Sequence, residues 1–260
     1  MRVELHDGVM TLTNDDPPIN RMTLEYIDEI EQILTDVKDD DRVRVLVFTA
    51  EGETNFSVGM DLKQLLLGEG RERGFDNVLD QRRRVLRALE ELGKPSIATL
   101  FGYCLGGGLE LPLACTFRLA ATEDAKIGLP ETDLGTVPAW GGSVRLTRCV
   151  SATRALDMML RGRLIDGNEA VRIGLASEAH PVAQLKGRAQ ELAAELARGP
   201  RLALKGIMDT VLVAEEGTLD EALDAERAAV NLCQNTPDQL EGGMAFMEKR
   251  DPVFEPPSPA

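Results

Sequence analysis

Two glutamates carry the most legible chemistry in this chain. Glu110 ends the run Phe101-Gly-Tyr-Cys-Leu-Gly-Gly-Gly-Leu-Glu110, and Glu131 follows the turn Gly128-Leu-Pro130. Fixing three consecutive glycines costs more backbone entropy than fixing any other residues. Close approach of the backbone to a ligand offsets that cost, and amides at a helix start are free to donate. The natural guest for such donors is a carbonyl oxygen that gains negative charge as it reacts. Two carboxylates beside it can move protons, provided burial lifts one of them above the roughly 4.3 of free glutamate. This points to chemistry on a carbonyl compound.

Several elements must position these groups. Residues 95–101 form a short apolar stretch that predicts a buried strand, and Leu109, Leu111, Leu113 and Ala114 predict a short buried helix. The glycine triplet stands at their junction, with Glu110 in the first turn. A second junction lies in Phe56-Ser-Val-Gly-Met-Asp-Leu62, where Gly59 breaks the strand and Asp61 caps a helix. Alternation around Asp7-Gly8 predicts a hairpin over residues 2–13. Thr23 caps a helix carrying Leu24, Ile27, Ile30, Leu34 and Val37, and residues 43–49 read as a buried strand.

Residues 68–74 look at first like a phosphate loop, but Arg73 stands where the third glycine would fall and no apolar strand precedes them. They read as a mobile charged loop at the edge of the site. A helix over 75–92 turns Val78, Val85, Leu86, Leu89 and Leu92 inward and leaves Arg82, Arg83, Arg84 and Arg87 on a solvated face. Short strands follow at 117–121 and 126–128. A turn at 138–142 starts another helix, with Arg145 and Arg148 on its exposed side, and a strand is expected at 175–179. From residue 184 the strands stop and four helices are predicted. The expected organisation is a core at 1–183, a helical region at 184–250 and a proline-rich tail at 251–260.

Composition excludes several classes. A net charge of −15 disfavours a sequence-independent grip on nucleic acid or on an anionic membrane, and 4% aromatic residues leave little for base stacking. No stretch is apolar for long enough to suggest a membrane span or a signal peptide. Cys104, Cys115, Cys149 and Cys233 have no paired spacing and read as reduced thiols of a cytoplasmic protein. With only two histidines, His6 and His180, a histidine base or metal site is disfavoured. No Gly-x-Ser-x-Gly elbow is present for a serine hydrolase.

The chain closely resembles the enoyl-CoA hydratase/isomerase (crotonase) superfamily. The resemblance rests on Pro17-Pro-Ile-Asn20, Phe56-Ser-Val-Gly-Met-Asp-Leu62, Lys94-Pro-Ser-Ile-Ala98, Gly102-Tyr-Cys-Leu-Gly-Gly-Gly-Leu-Glu110, Gly128-Leu-Pro-Glu131, Leu134-Gly-Thr-Val-Pro138 and Phe246-Met-Glu-Lys-Arg250. These occur in consistent order from about residue 3 to residue 254. The resemblance implies an α/β fold, a spiral of repeated β-β-α units closed by a C-terminal all-helical trimerisation region. It implies an acyl-CoA thioester substrate, with coenzyme A part of that substrate and no separate cofactor or metal.

By the same resemblance, the amides of Met60 and Gly107 hold the thioester oxygen, and Glu110 and Glu131 are the glutamate pair that handles water. Ser57, Gly59, Asp61, Leu62, Lys63, Gly106, Pro130, Gly135, Trp140, Phe246 and Lys249 fall at substrate or CoA positions, the last two on the C-terminal helix, which can come from a neighbouring subunit. Where the family usually has Pro-Gly-(Gly or Ala)-Gly-Gly, this chain has Pro138-Ala-Trp-Gly-Gly142. Its single tryptophan therefore either shapes the acyl pocket or is a core aromatic. The leading expectation is hydration of a trans-2-enoyl-CoA to a 3-hydroxyacyl-CoA by a homotrimer or a dimer of trimers. The alternatives are Δ3-Δ2 isomerisation, hydration or hydrolysis of a specialised acyl-CoA, or a non-catalytic protein of this fold that binds RNA or a partner.

Overall fold

Asp7 and Gly8 both take positive φ, at 46° and 82°, and turn the chain between β1 (Arg2–His6) and β2 (Val9–Asn14), the antiparallel edge of the main sheet. Parallel strands then add in sequence: β3 (Val45–Ala50), β4 (Ser96–Leu100), β6 (Phe117–Ala121) and β8 (Glu178–His180). Every residue of β3 and β4 is buried, as expected for central parallel strands covered on both faces. The computed structural model describes residues 1–256, so residues 257–260 of the expected tail lie outside the described residues.

A second, slighter ladder runs beside this sheet and builds the site. It consists of Met22 bridged to Met60, Ser57 bridged to Cys104, β5 (Tyr103–Leu105) paired in parallel with β7 (Lys126–Gly128), and Ile127 bridged to Ile165. Strand, offset strand and helix thus recur along the chain, the repeated unit that the family resemblance implies. The first unit is β3, residues 56–60 and the helices α2 (Leu62–Leu67), α3 (Glu69–Arg73) and α4 (Phe75–Glu90). The next is β4, β5 and α5 (Gly107–Leu113). The third is β6, β7 and then α6 (Gly142–Cys149).

The helix α1 (Leu24–Val37) starts where the Thr23 side chain accepts from the Tyr26 N–H, and it buries Leu24, Ile27, Ile30, Leu34 and Val37. It packs against α4. After α7 (Ala152–Leu160) and α8 (Gly167–Arg172), the helix α9 (Val182–Ala197) lies across β2, β3, β4, β6 and β8. Leu185, Ala189, Ala193 and Ala197, four residues apart, bury that face, and the alanines allow the helix to sit close to the sheet. By packing, α9 therefore belongs with the strands that precede it. The helices α10 (Arg201–Glu216) and α11 (Leu219–Cys233) pack on each other, and α12 (Pro237–Glu248) follows. Residues 251–256 run back beside α12, where Glu241 Oε1 accepts from the Val253 N–H at 2.8 Å.

Four local expectations are corrected. Residues 69–73 are helical, because Arg73 bonds both Glu69 one turn back and Asp28 of α1. The last strand begins at Glu178 rather than at residue 175. Arg145 is not on an exposed face: its guanidinium bonds both oxygens of Glu90, at 2.6 and 2.8 Å. Arg82, assigned to the solvated side of α4, is fully buried. Its place four residues after Val78 and four before Leu86 sets it on the apolar stripe.

All four cysteines are free, with Cys104 and Cys115 buried. Among the described residues no helix is long and apolar enough to cross a membrane.

Candidate active site

The offset ladder brings the two glycine-bearing junctions together. Ser57 donates its N–H to Tyr103 O and accepts from the Leu105 N–H, at 2.9 and 3.0 Å. This pairing sets Gly59 flat against the next turn of chain. A Cβ at position 59 would fall 2.6 Å from Leu105 O and 3.5 Å from the Gly107 nitrogen, and φ there is +95°. Met60 follows at once, clamped on both sides by Met22, which donates to Gly59 O and accepts from the Asp61 N–H. The N–H groups of Met60 and Gly107 have no acceptor among the described residues. Two free donors at adjoining junctions, one of them opening a helix, are of the kind that can receive an oxygen that gains charge.

Glu110 enters from the first turn of α5. Gly106, at φ +54°, starts that helix, and its carbonyl accepts from the N–H groups of both Leu109 and Glu110. The Glu110 side chain is buried, and its Oε1 accepts from the N–H groups of Trp140 and Gly142, both at 2.8 Å. Burial pushes its pKa up to about 7, a rise opposed by those two bonds and reinforced by the charge of Glu131.

Glu131 opens the 3-10 turn Glu131–Leu134 just after buried Leu129. Its Oε1 lies 3.2 Å from where a Cβ on Gly106 would stand, and its buried Oε2 has no partner among the described residues. Burial raises its pKa as well. One carboxylate thus rises from the first turn of α5, fixed by backbone donors of residues 140 and 142, and the other lies against the start of that helix with its Oε2 unpartnered. Such a pair can hold a water molecule between them and exchange protons with it.

Trp140 closes the site from the third turn. Its ring lies over Gly107, with Cζ3 only 2.4 Å from where a Cβ there would stand. The ring is buried, and its carbonyl accepts from Arg145 Nη1 at 2.8 Å, so the Arg145–Glu90 pair pins this loop to α4. The Arg82 guanidinium carbon stands over this indole, 5.1 Å from the ring centroid. Sequence reasoning did not bring Arg82 to this site. The stripe position noted above was the signal that could have done so.

The remaining expected residues divide by location. Gly106, Gly107, Gly59, Met60, Glu110, Glu131 and Trp140 converge, and Pro130 precedes the Glu131 turn. Asp61 caps α2 by accepting from the N–H groups of Lys63 and Gln64, and it also pairs with Arg21 at 2.9 Å. Leu62 and Lys63 are exposed on the outer side of that cap. Gly135, at φ +68°, ends the 3-10 turn in open space. Phe246 and Lys249 lie exposed at the end of α12, and Phe246 is 85% exposed, so the chain's own core does not hold it.

The fold defines a class, and the comparisons identify it. The chain belongs to the enoyl-CoA hydratase/isomerase family, whose pattern it matches over residues 4–257. It is 35% identical over 239 residues to the crotonyl-CoA hydratase of Syntrophomonas wolfei, covering 91% of this chain and 90% of that one. It is 33% identical over 252 residues to the carnitinyl-CoA dehydratase of Escherichia coli K12, covering 95% of each. The crystal structure of the enoyl-CoA hydratase of Geobacillus kaustophilus HTA426 superposes with a TM-score of 0.92 at 32% identity, covering 97% of this chain and 95% of that one. The fold is therefore the crotonase fold.

Proposed function

We propose that this chain adds water to trans-2-enoyl-CoA thioesters, giving 3-hydroxyacyl-CoA. The Met60 and Gly107 N–H groups receive the thioester oxygen, and the charge that develops on it as the enolate forms is met by donors already in place. Glu110 and Glu131 hold the water between them. The ionised member of the pair takes a proton as the water oxygen bonds to the β-carbon, and the protonated member delivers one to the α-carbon. Charging either carboxylate raises the pKa of the other, so near neutral pH the pair favours one charge and one proton. Coenzyme A enters as part of the substrate rather than as a resident cofactor.

The observation that carries this reading is a buried Glu110 in the first turn of α5 and a half-buried Glu131 whose carboxylate lies against Gly106, beside two unspent amide donors. The test is loss of the enoyl-thioester ultraviolet absorbance with purified protein, across enoyl-CoAs of increasing length. We expect rapid loss that disappears in both Glu110→Ala and Glu131→Ala. Full hydration by Glu131→Gln would overturn the assignment, and migration of a double bond that needs only one of the two glutamates would indicate an isomerase instead.

The homotrimer, or a dimer of trimers, is part of the same proposal. Its support is the run of exposed apolar side chains on the C-terminal helices: Ile207, Leu223, Val230, Leu240, Met244 and Phe246. So large an unpartnered face is expensive to leave in water.

A further inference from the structure

Among the described residues Arg82 is the largest fully buried side chain, and no carboxylate bonds it. Its Nη1 turns back to Val78 O of its own helix at 3.1 Å, while Nε and Nη2 have no partner. Asp28 is a carboxylate close enough to act on it, but Asp28 already accepts from Arg73 at 2.8 and 2.9 Å and from Gln81 at 2.8 Å. Arg73, on that same side, repels it. Beyond these it has the Trp140 face, and a cation–π contact offsets only part of the cost of taking a guanidinium out of water. Burial lowers its pKa to about 10, so it still carries its charge at neutral pH. A buried cation with two unpartnered nitrogens calls for an anion that the described residues do not supply.

Arg82 stands close to the candidate site, because the ring that it stacks on lies over Gly107. On its other side, Val78, whose carbonyl it holds, packs in the cluster that contacts Met60. The guanidinium is thus bracketed by the walls behind both amide donors. An acyl chain anchored by its thioester oxygen between those donors, and passing the edge of Trp140, would bring its far end to Arg82.

We propose that Arg82 sets the acyl specificity of this site, and that its free N–H groups receive a carboxylate at the distal end of a short acyl chain. The thioesters handled best would then be mono-CoA esters of unsaturated dicarboxylic acids. A guanidinium fork matches a carboxylate in geometry as well as charge, which an ammonium does not. This rests on the hydratase reading and deepens it by naming the substrate class.

The experiment compares glutaconyl-CoA with crotonyl-CoA, which share the reacting double bond and differ in the terminal carboxylate. Wild type should show a higher kcat/KM for glutaconyl-CoA by about 10- to 100-fold, the value of a charged hydrogen bond, expressed mainly in KM. Arg82→Met should bring the ratio of the two kcat/KM values down toward unity, and Arg82→Lys should restore part of it. A wild-type ratio at or below one, or a preference that survives in Arg82→Met, overturns the inference. The wild-type ratio decides alone if the variants do not fold.

If wild type hydrates neither compound, the hydratase reading has failed, and binding tests the inference separately. Glutaryl-CoA and butyryl-CoA cannot be hydrated, and Trp140, the single tryptophan, reports their binding by its fluorescence. Tighter binding of glutaryl-CoA by wild type supports the role of Arg82, and equal or weaker binding overturns it.

Discussion

Glu110 and Trp140 are joined by a 2.8 Å hydrogen bond in which the tryptophan backbone N–H donates to the glutamate Oε1. The Gly142 N–H donates to the same oxygen, so the carboxylate is aimed by the loop at 140–142 rather than by its own helix. A Cβ at position 142 would stand 2.8 Å from both Glu110 Cγ and Oε1. Gly142→Ala should therefore rotate Glu110 out of register and cut kcat about 100-fold, the scale of a displaced acid–base group. Circular dichroism should show the fold intact. Wild-type turnover in this variant would show that the aim of Glu110 does not matter.

The Glu110–Trp140 bond also gives the titration an optical reporter. Tryptophan fluorescence followed against pH should show an inflection near pH 7 as Glu110 ionises. Because the charge of Glu131 raises that pKa, Glu131→Gln should move the inflection to lower pH. An unmoved inflection would mean that the two carboxylates do not sense each other.

Stability should carry the same signature. Glu110 has a folded-state pKa above its unfolded value, so the folded state binds more protons between pH 4.5 and about 7. The stabilising contribution of the protonated group is complete below that window and is lost as pH rises through it. Glu110→Gln keeps an acceptor for the two backbone donors and removes the charge. Its free energy of unfolding should gain on wild type as pH rises, by up to about 3 kcal/mol above pH 7. Denaturation at pH 5 and pH 8 checks the sign.

Assembly is testable by mass. Light scattering on the purified chain should return three or six times the chain mass, and Phe246→Asp should shift it toward the single chain. A wild-type monomer that hydrates enoyl-CoA would remove any need for a neighbouring subunit at the site.

The β/α core was legible because it is written in short-range signals. Thr23 and Asp61 cap helices as their types predict, and the triple glycine falls at a strand-to-helix junction. The approach of Glu131 to Gly106 was anticipated only through the family resemblance, since the offset ladder that closes it depends on pairings between distant segments. Arg82 was misplaced because a charge run reads as a solvated face, whereas helical spacing puts one member of it among leucines and valines. Residues 69–73 were misread for a similar reason: the Arg73–Asp28 contact that orders them spans 45 positions.

The three glycines at 106–108 each face a different neighbour: Glu131 for the first, the Trp140 ring for the second and the Ser57 carbonyl for the third. The run therefore acts as three separate seams, each sealed by another turn of the chain. In a library randomised at these positions, no site could drift while the other two held the pocket. Selection for activity should return glycine independently at each of them, and a pocket remodelled for a new acyl group would have to change on the Trp140 and Arg82 side instead.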